Sequence, residues 1–238
     1  MHLKAAALFL TAALAALSVA AQPEPAKAIG SLVNGDFELP DFTPAGDPPS
    51  FTIIDQSDVP GWQTTATDGR IELWDSGFQG VPAFSGEQFA EINANNFGEL
   101  FQVASGIPAN AVVGFQFAHR GRNGDDTVSL TIVDLGFDNI FNSSDDTTLF
   151  SQEFTTGNSA WGFYQGGGLV ALGNDIRFGW TAVSSTGPAS FGNFLDAAAF
   201  GVGIPVPAPL PLLAPGLVLG TLLKARRRYR GLGKSSKT

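Results

Sequence analysis

Cysteine is absent from the chain, so no disulfide staples the fold and no thiol serves as nucleophile or metal ligand. Histidine occurs only at positions 2 and 119. A lone imidazole cannot make a zinc site, which takes three or four His, Cys or carboxylate ligands. Lysine is missing from everything between Lys27 and Lys224. Between Ile29 and Gly203, 21 acids face only Arg70, Arg120, Arg122 and Arg177, a net charge of −17. Phosphate backbones bind to clusters of basic side chains, so nucleic acid is excluded as a partner of this region. Catalytic signatures are lacking as well. There is no Gly-x-Ser-x-Gly elbow, no phosphate-binding loop and no Gly-x-Gly-x-x-Gly after a strand. The acidic run Asp138–Asp146 lacks the ligand spacing of an EF-hand.

What the chain does have is clearest at its two ends. Residues 1–28 open with Lys4, continue with an apolar run from Ala5 to Leu17 and finish in small residues. That is the layout of a secretory signal peptide, with cleavage after Ala20, Ala21 or Ala28. At the other end, no charged residue falls between Asp196 and Lys224. About 20 apolar residues cross a bilayer as a helix, so this span is long enough. Prolines at 205, 207, 209 and 211 disfavour helix in its first part. A transmembrane helix is therefore expected from Pro211 or Leu212, with Pro215 in its first turn. Lys224, Arg226, Arg227, Arg228 and Arg230 follow directly, as the positive-inside rule expects of a cytoplasmic end.

Residues 204–238 resemble the PEP-CTERM sorting signal of bacterial exported proteins: a short Pro-containing motif, a membrane helix and an Arg-rich terminus. Here the motif reads Val206-Pro207-Ala208-Pro209, with alanine where that family usually has glutamate. The resemblance implies membrane attachment and processing by an exosortase-type enzyme. Without cutting, the tail is a membrane anchor.

Residues 29–203 are the length of one domain with an ample core. Short segments alternate with period two, as in Val128, Leu130 and Ile132 against Thr127, Ser129 and Thr131. They are separated by turn pairs such as Asp68-Gly69, Ser85-Gly86 and Asn123-Gly124. Strands are predicted at 51–54, 70–74, 89–93, 99–103, 112–119, 127–134, 148–154, 161–164, 169–172, 175–183 and 194–202, and no helical period interrupts them. The expected fold is all-β, an antiparallel β-sandwich of jelly-roll type.

The domain opens with Val33-Asn34-Gly35-Asp36-Phe37-Glu38 and closes with Asn193-Phe194-Leu195-Asp196. These ends, with Pro60-Gly61-Trp62, Ile71–Trp74, Phe89–Asn93 and Phe117–Arg122, resemble galactose-binding-like jelly rolls. That group includes bacterial carbohydrate-binding modules and the plant cell-wall family known as DUF642 proteins. The resemblance implies first and last strands side by side, with a structural calcium held by Glu38 and Asp196, and Asn34 and Asp36 as further candidates. Calcium takes six to eight hard oxygens, which suits such a set.

Sugar binding uses an aromatic platform together with amides, carboxylates or Arg for the hydroxyls. Trp62, Trp74, Arg120 and Arg122 are the candidates, and Trp161, Trp180, Tyr164 and Asn95 have similar chemistry. Each Trp also suits a sandwich core, and Arg120 and Arg122 can instead pair with Asp125 or Asp126. Glu72, Glu87 and Glu91 can supply the two carboxylates of a glycosidase, although nothing in the sequence sets their separation. The sequence reads as an exported, surface-held, non-catalytic sandwich that binds extracellular polysaccharide. The alternatives are a structural matrix or adhesion protein with no sugar site and, third, a glycan hydrolase.

Overall fold

The structure, a computed structural model, describes residues 32–43 and 46–204. The signal segment, the Val206–Pro209 motif and the expected terminal helix lie outside the described residues.

Among the described residues, eleven strands form two antiparallel sheets. In chain order they are β1 (Phe51–Asp55), β2 (Gln63–Thr64), β3 (Arg70–Asp75), β4 (Gln88–Glu91), β5 (Glu99–Ala104) and β6 (Val112–Arg120), followed by β7 (Asp126–Asp134), β8 (Thr147–Thr156), β9 (Gly162–Val170), β10 (Ile176–Ser184) and β11 (Phe194–Val202). One sheet runs β1-β3-β4-β11-β6-β9 and the other β2-β5-β10-β7-β8. The expected antiparallel β-sandwich is the fold that forms.

Period-two alternation builds the core. Ile71, Leu73, Phe115, Phe117 and Phe200 of the six-stranded sheet face Val128, Leu130, Ile132, Phe178 and Trp180 of the five-stranded one. The six-stranded sheet also buries part of its outer face. There Trp74, Phe89 and Phe194 form a second cluster under Val81, Phe78, Ala83 and Trp161. The loop between β3 and β4 folds back over the sheet and covers them.

The first and last segments of the domain meet: Ala198 N donates to Gly35 O at 2.8 Å, beside a bulge in β11 between Asp196 and Ala199. Two differences from the sequence reading stand out. β2 is only two residues long and leaves no periodic trace. The two strands expected at 161–164 and 169–172 are one strand, β9, which passes through Gly166-Gly167-Gly168 with a bulge at Gly168 (φ +76°). The glycines look like a turn signal, but at Gly166 the reason is close packing. A Cβ there would sit 2.5 Å from Cζ of the buried Phe115.

Candidate functional site

The six-stranded sheet presents three groupings of interest on or beside its outer face.

Cross-strand neighbours Glu72 of β3 and Glu91 of β4 form the first. Both are buried, at 3% and 0% exposure. Trp74 Nε1 donates to Glu72 Oε1 at 2.7 Å. Arg122 Nη1 contacts both Glu91 oxygens, at 3.1 and 3.0 Å, and the Gly192 amide also donates to Oε1. The guanidinium lies 4.7 Å from the Trp74 ring centre and 3.8 Å from that of Phe191, a cation held between two aromatic faces. Burial, then the Glu72 charge, pushes Glu91 up to about 8, while burial also raises Glu72. The pair therefore holds a proton well above the usual carboxylate range.

The second grouping is Glu38 with Asp196. Glu38 Oε1 accepts from Glu87 N at 2.9 Å and Gln88 N at 3.0 Å. Asp196 Oδ2 accepts from Phe84 N at 2.8 Å and Ser85 N at 3.0 Å. The two carboxylates thus grip one short stretch of backbone, and Gly86 between them cannot take a side chain, because its Cβ would collide with Glu38. Asp196 is fully buried, and no described Arg bridges to either group. Burial pushes Asp196 up to about 7, and the Glu38 charge adds to the rise. Among the described residues no three His, Asp or Glu side chains gather as a metal site, so a cation here would have these two carboxylates and take its remaining oxygens from backbone or water. Asn34 does not add its side chain to this pair. Its amide closes a local loop, accepting from Leu39 N at 2.9 Å and donating to Leu39 O at 2.6 Å. Asp36 is exposed on the turn. Glu38 also lines a cavity of about 440 Å³ with Asp41, Asp47, Asp75 and Glu87.

Exposed aromatics make the third. Phe84, on the covering loop, and Phe163, on β9, are 43% and 45% exposed, with ring planes within 5° and centroids 5.4 Å apart. Behind them Trp161 is half-buried, its Nε1 donating to Pro82 O at 2.8 Å and its ring packed on Phe89 at 5.4 Å. The exposed rings are therefore mounted on the buried Trp74 cluster. Along the same face Gln116 and Gln165 stand directly opposite each other on β6 and β9. Neither amide hydrogen-bonds to another described residue.

The tryptophans expected as platforms are elsewhere. Trp62 is 2% exposed, stacked on Phe37 at 4.6 Å, with Nε1 donating to Asn34 O. Trp74 is fully buried. Neither has a ring face open to a sugar, because a sandwich this rich in aromatics uses its largest side chains to fill the core. The Arg122 guanidinium is withdrawn from solvent by Glu91, not by Asp125 or Asp126; of Arg122, only the backbone N–H reaches Asp126, donating to Oδ2. Arg120 is half-buried at the end of β6, its guanidinium donating to Asn158 O at 2.5 Å. His119 is a buried structural residue between Thr156 Oγ1 at 2.9 Å and Asn193 Oδ1 at 3.1 Å. Burial holds it down to about 4.

Phe163, Gln116 and Gln165 were not among the expected site residues, yet strand parity marks them. Phe117 and Tyr164 point into the core, so their neighbours point out. Phe84 lies in a loop, where no parity applies.

No protein-family model matches the chain, and no curated protein does. Solved structures with a similar fold include a family 61 carbohydrate-binding module in complex with β-1,4-galactotriose (15% identity, TM-score 0.41, covering 59% of this chain and 88% of that one). Another is the first family 22 xylan-binding domain of a Paenibacillus barcinonensis protein (10% identity, TM-score 0.44, covering 68% of this chain and 100% of that one). A family 4 carbohydrate-binding module is similar at 12% identity and TM-score 0.39, covering 71% of this chain and 98% of that one. Likeness at this level assigns this chain neither a ligand nor site residues.

Proposed function

We propose that the sandwich is a non-catalytic module for extracellular polysaccharide, binding on the open face of its six-stranded sheet. The observation that carries this is the exposed, stacked pair Phe84 and Phe163 beside the opposed amides of Gln116 and Gln165. Aromatic rings offer a sugar's C–H face a surface, and amides both donate to and accept from hydroxyls. Phe84, packed edge-on against Trp161 and stacked on Phe163, has less rotamer freedom to lose on binding. The non-catalytic reading is supported by the state of the cross-strand carboxyls Glu72 and Glu91. They are buried and occupied by each other, Trp74, Gly192 and Arg122.

A polysaccharide array is the direct test. Phe84→Ala and Phe163→Ala are expected to weaken the best hit at least tenfold each, on the order of 1–2 kcal/mol, with Trp62→Phe left near the parent. A folded protein that binds nothing, or a hit indifferent to both Phe changes, would instead favour a structural or adhesive role. Burial of Trp62, Trp74 and Trp180 is the observation on that side.

The same reading places the domain outside the cell, delivered by residues 1–28 and held at the membrane by residues 204–238, with or without exosortase-type cutting after the Val206–Pro209 motif. It also gives Glu38 and Asp196 a structural calcium, which would supply the positive charge the pair lacks and tie the first segment to the last strand. Calcium at millimolar concentration should raise the melting temperature by several degrees, reversibly with EDTA. In Glu38→Gln and Asp196→Asn that shift should vanish. An EDTA-insensitive parent would remove calcium from the scheme.

A further inference from the structure

A glycine stands at the same level on each of three adjacent strands: Gly201 of β11 pairs with Gly114 of β6, and Gly114 with Gly167 of β9. Phe115 and Phe200 point into the core, so their neighbours Gly114 and Gly201 face outward, and Gly167 with them. The row is a groove without side chains across the outer face of the six-stranded sheet. Val112 and Val170, opposite each other and both exposed, form one wall. Gln116 and Gln165 form the other. Glycine inside a strand often marks a place where another backbone comes close. Here one already does. After β11 the chain turns at Gly203 (φ +88°) and comes back over the sheet, and Ile204, only 9% exposed, lies on Gly114. A Cβ on Gly114 would meet Ile204 O at 3.2 Å and Ile204 Cβ at 3.3 Å. The chain has stepped from β11 onto β6, and the groove continues ahead of it to β9.

We propose that the groove seats the chain's own next segment, with Pro205-Val206-Pro207 crossing Gly167 and Val206 packed on Val112 and Val170. Neighbouring strands are about 4.8 Å apart and a polyproline-type backbone advances about 3.1 Å per residue, so Val206 is the residue that reaches β9. Several properties of the segment fit this seat. Prolines at 205, 207 and 209 remove the N–H groups that a sheet edge would need and that a segment crossing the sheet does not. The bulge at Gly168 likewise interrupts the ladder where the segment leaves the sheet. No charge occurs between Asp196 and Lys224, so the acidity of the domain does not oppose the approach. The carbonyls of the segment are acceptors for the Gln116 and Gln165 amides. The Phe84–Phe163 pair stays clear, because Phe163 lies about 13 Å farther along β9, the rise of four strand residues. Docking puts the start of the Val206–Pro209 motif under the cover of the domain, so a cutting enzyme reaches it only when the groove lets go. That consequence rests on the processing proposed above; the docking does not.

The absence of cysteine makes the test direct: Val170→Cys combined with Val206→Cys, in the full chain in mild detergent. Disulfides close between Cα atoms within about 7 Å, so the docked pair should oxidise roughly tenfold faster than Val103→Cys with Val206→Cys, whose first site is on the opposite sheet. Cleavage by a prolyl endopeptidase reports the same contact without cysteines. Val112→Asp and Val170→Asp put charge on the apolar wall and should speed cleavage after Pro207 roughly tenfold, while Val103→Asp keeps the parent rate. Circular-dichroism melts identify any variant that has unfolded, and the exposed positions chosen make that outcome rare. Equal oxidation of the two cysteine pairs, or equal cleavage of the parent and both folded wall variants, would overturn the docking. Neither assay contains the processing enzyme, so a failed docking and an absent processing step are told apart.

Discussion

Arg122→Met is expected to destabilise the sandwich by about 3 kcal/mol at pH 9.5, where Glu91 is ionised in the parent, and by markedly less at pH 5. The guanidinium is 12% exposed and is the described cation that meets Glu91, itself 0% exposed. Methionine keeps much of the apolar bulk between Trp74 and Phe191 but removes the charge. Glu91 would then face Glu72 across two paired strands, with only the Gly192 amide and the Glu72 carboxyl for company. A buried carboxylate stripped of its partner bears the full desolvation penalty, which is why breaking one side of such a pair costs so much. Acid relieves it, since a protonated carboxyl needs no counter-charge. Urea unfolding of parent and variant at the two pH values measures the difference. Equal losses at both would mean that Arg122 acts through packing over the aromatic rings alone, and the electrostatic account would be wrong.

That network shows how far the sequence can be read. Glu72 and Glu91 were visible as candidate carboxylates, but bringing them face to face required the β3–β4 register. No local pattern sets that register, since hydrophobic alternation fixes which face a residue occupies and not its partner along the neighbouring strand. Arg122 was read against the nearest acids in sequence, Asp125 and Asp126. The fold takes it instead to Glu91, across 31 positions of chain. The same limit explains the tryptophans. Trp180, two residues from Phe178 on β10, shares its face and lies with it in the core. For Trp74 parity gives the outer face, and only the fold-back of the β3–β4 loop makes that face interior. The strand pattern itself was legible because alternation is local and this core is built from it. Where it failed, at Gly166-Gly167-Gly168, a packing demand imitates a turn signal.

The buried acids also set the pH dependence of stability, and the signs can be worked through. Glu91 is pushed up to about 8 from an ordinary value of 4.5, so the folded chain keeps a proton that the unfolded chain gives up between those values. Its stabilisation is complete below about pH 4.5 and is lost as the pH climbs through about 8. His119 works the other way. Held down to about 4 from 6.5, it contributes stability above pH 6.5 that is lost as the pH falls through about 4. Between 4.5 and 6.5 these two oppose each other while Asp196, raised to about 7 from 3.8, adds its own loss, so stability declines gently through mild acid and more steeply above pH 6.5. Each proton held only by the folded state tilts stability by about 1.4 kcal/mol per pH unit, so the alkaline limb should be steep enough to follow by urea unfolding. Glu72→Gln identifies its source. The amide oxygen can still accept from Trp74 Nε1, and the NH₂ can donate to Glu91 as the protonated acid does. With no second charge to repel it, Glu91 can ionise against Arg122 alone. The variant should match the parent near pH 5.5, exceed it by about 1–3 kcal/mol at pH 8.5, and lose most of the alkaline limb. An unchanged limb in Glu72→Gln would place the titrating group outside this pair, with Asp196, raised to about 7, the next to change.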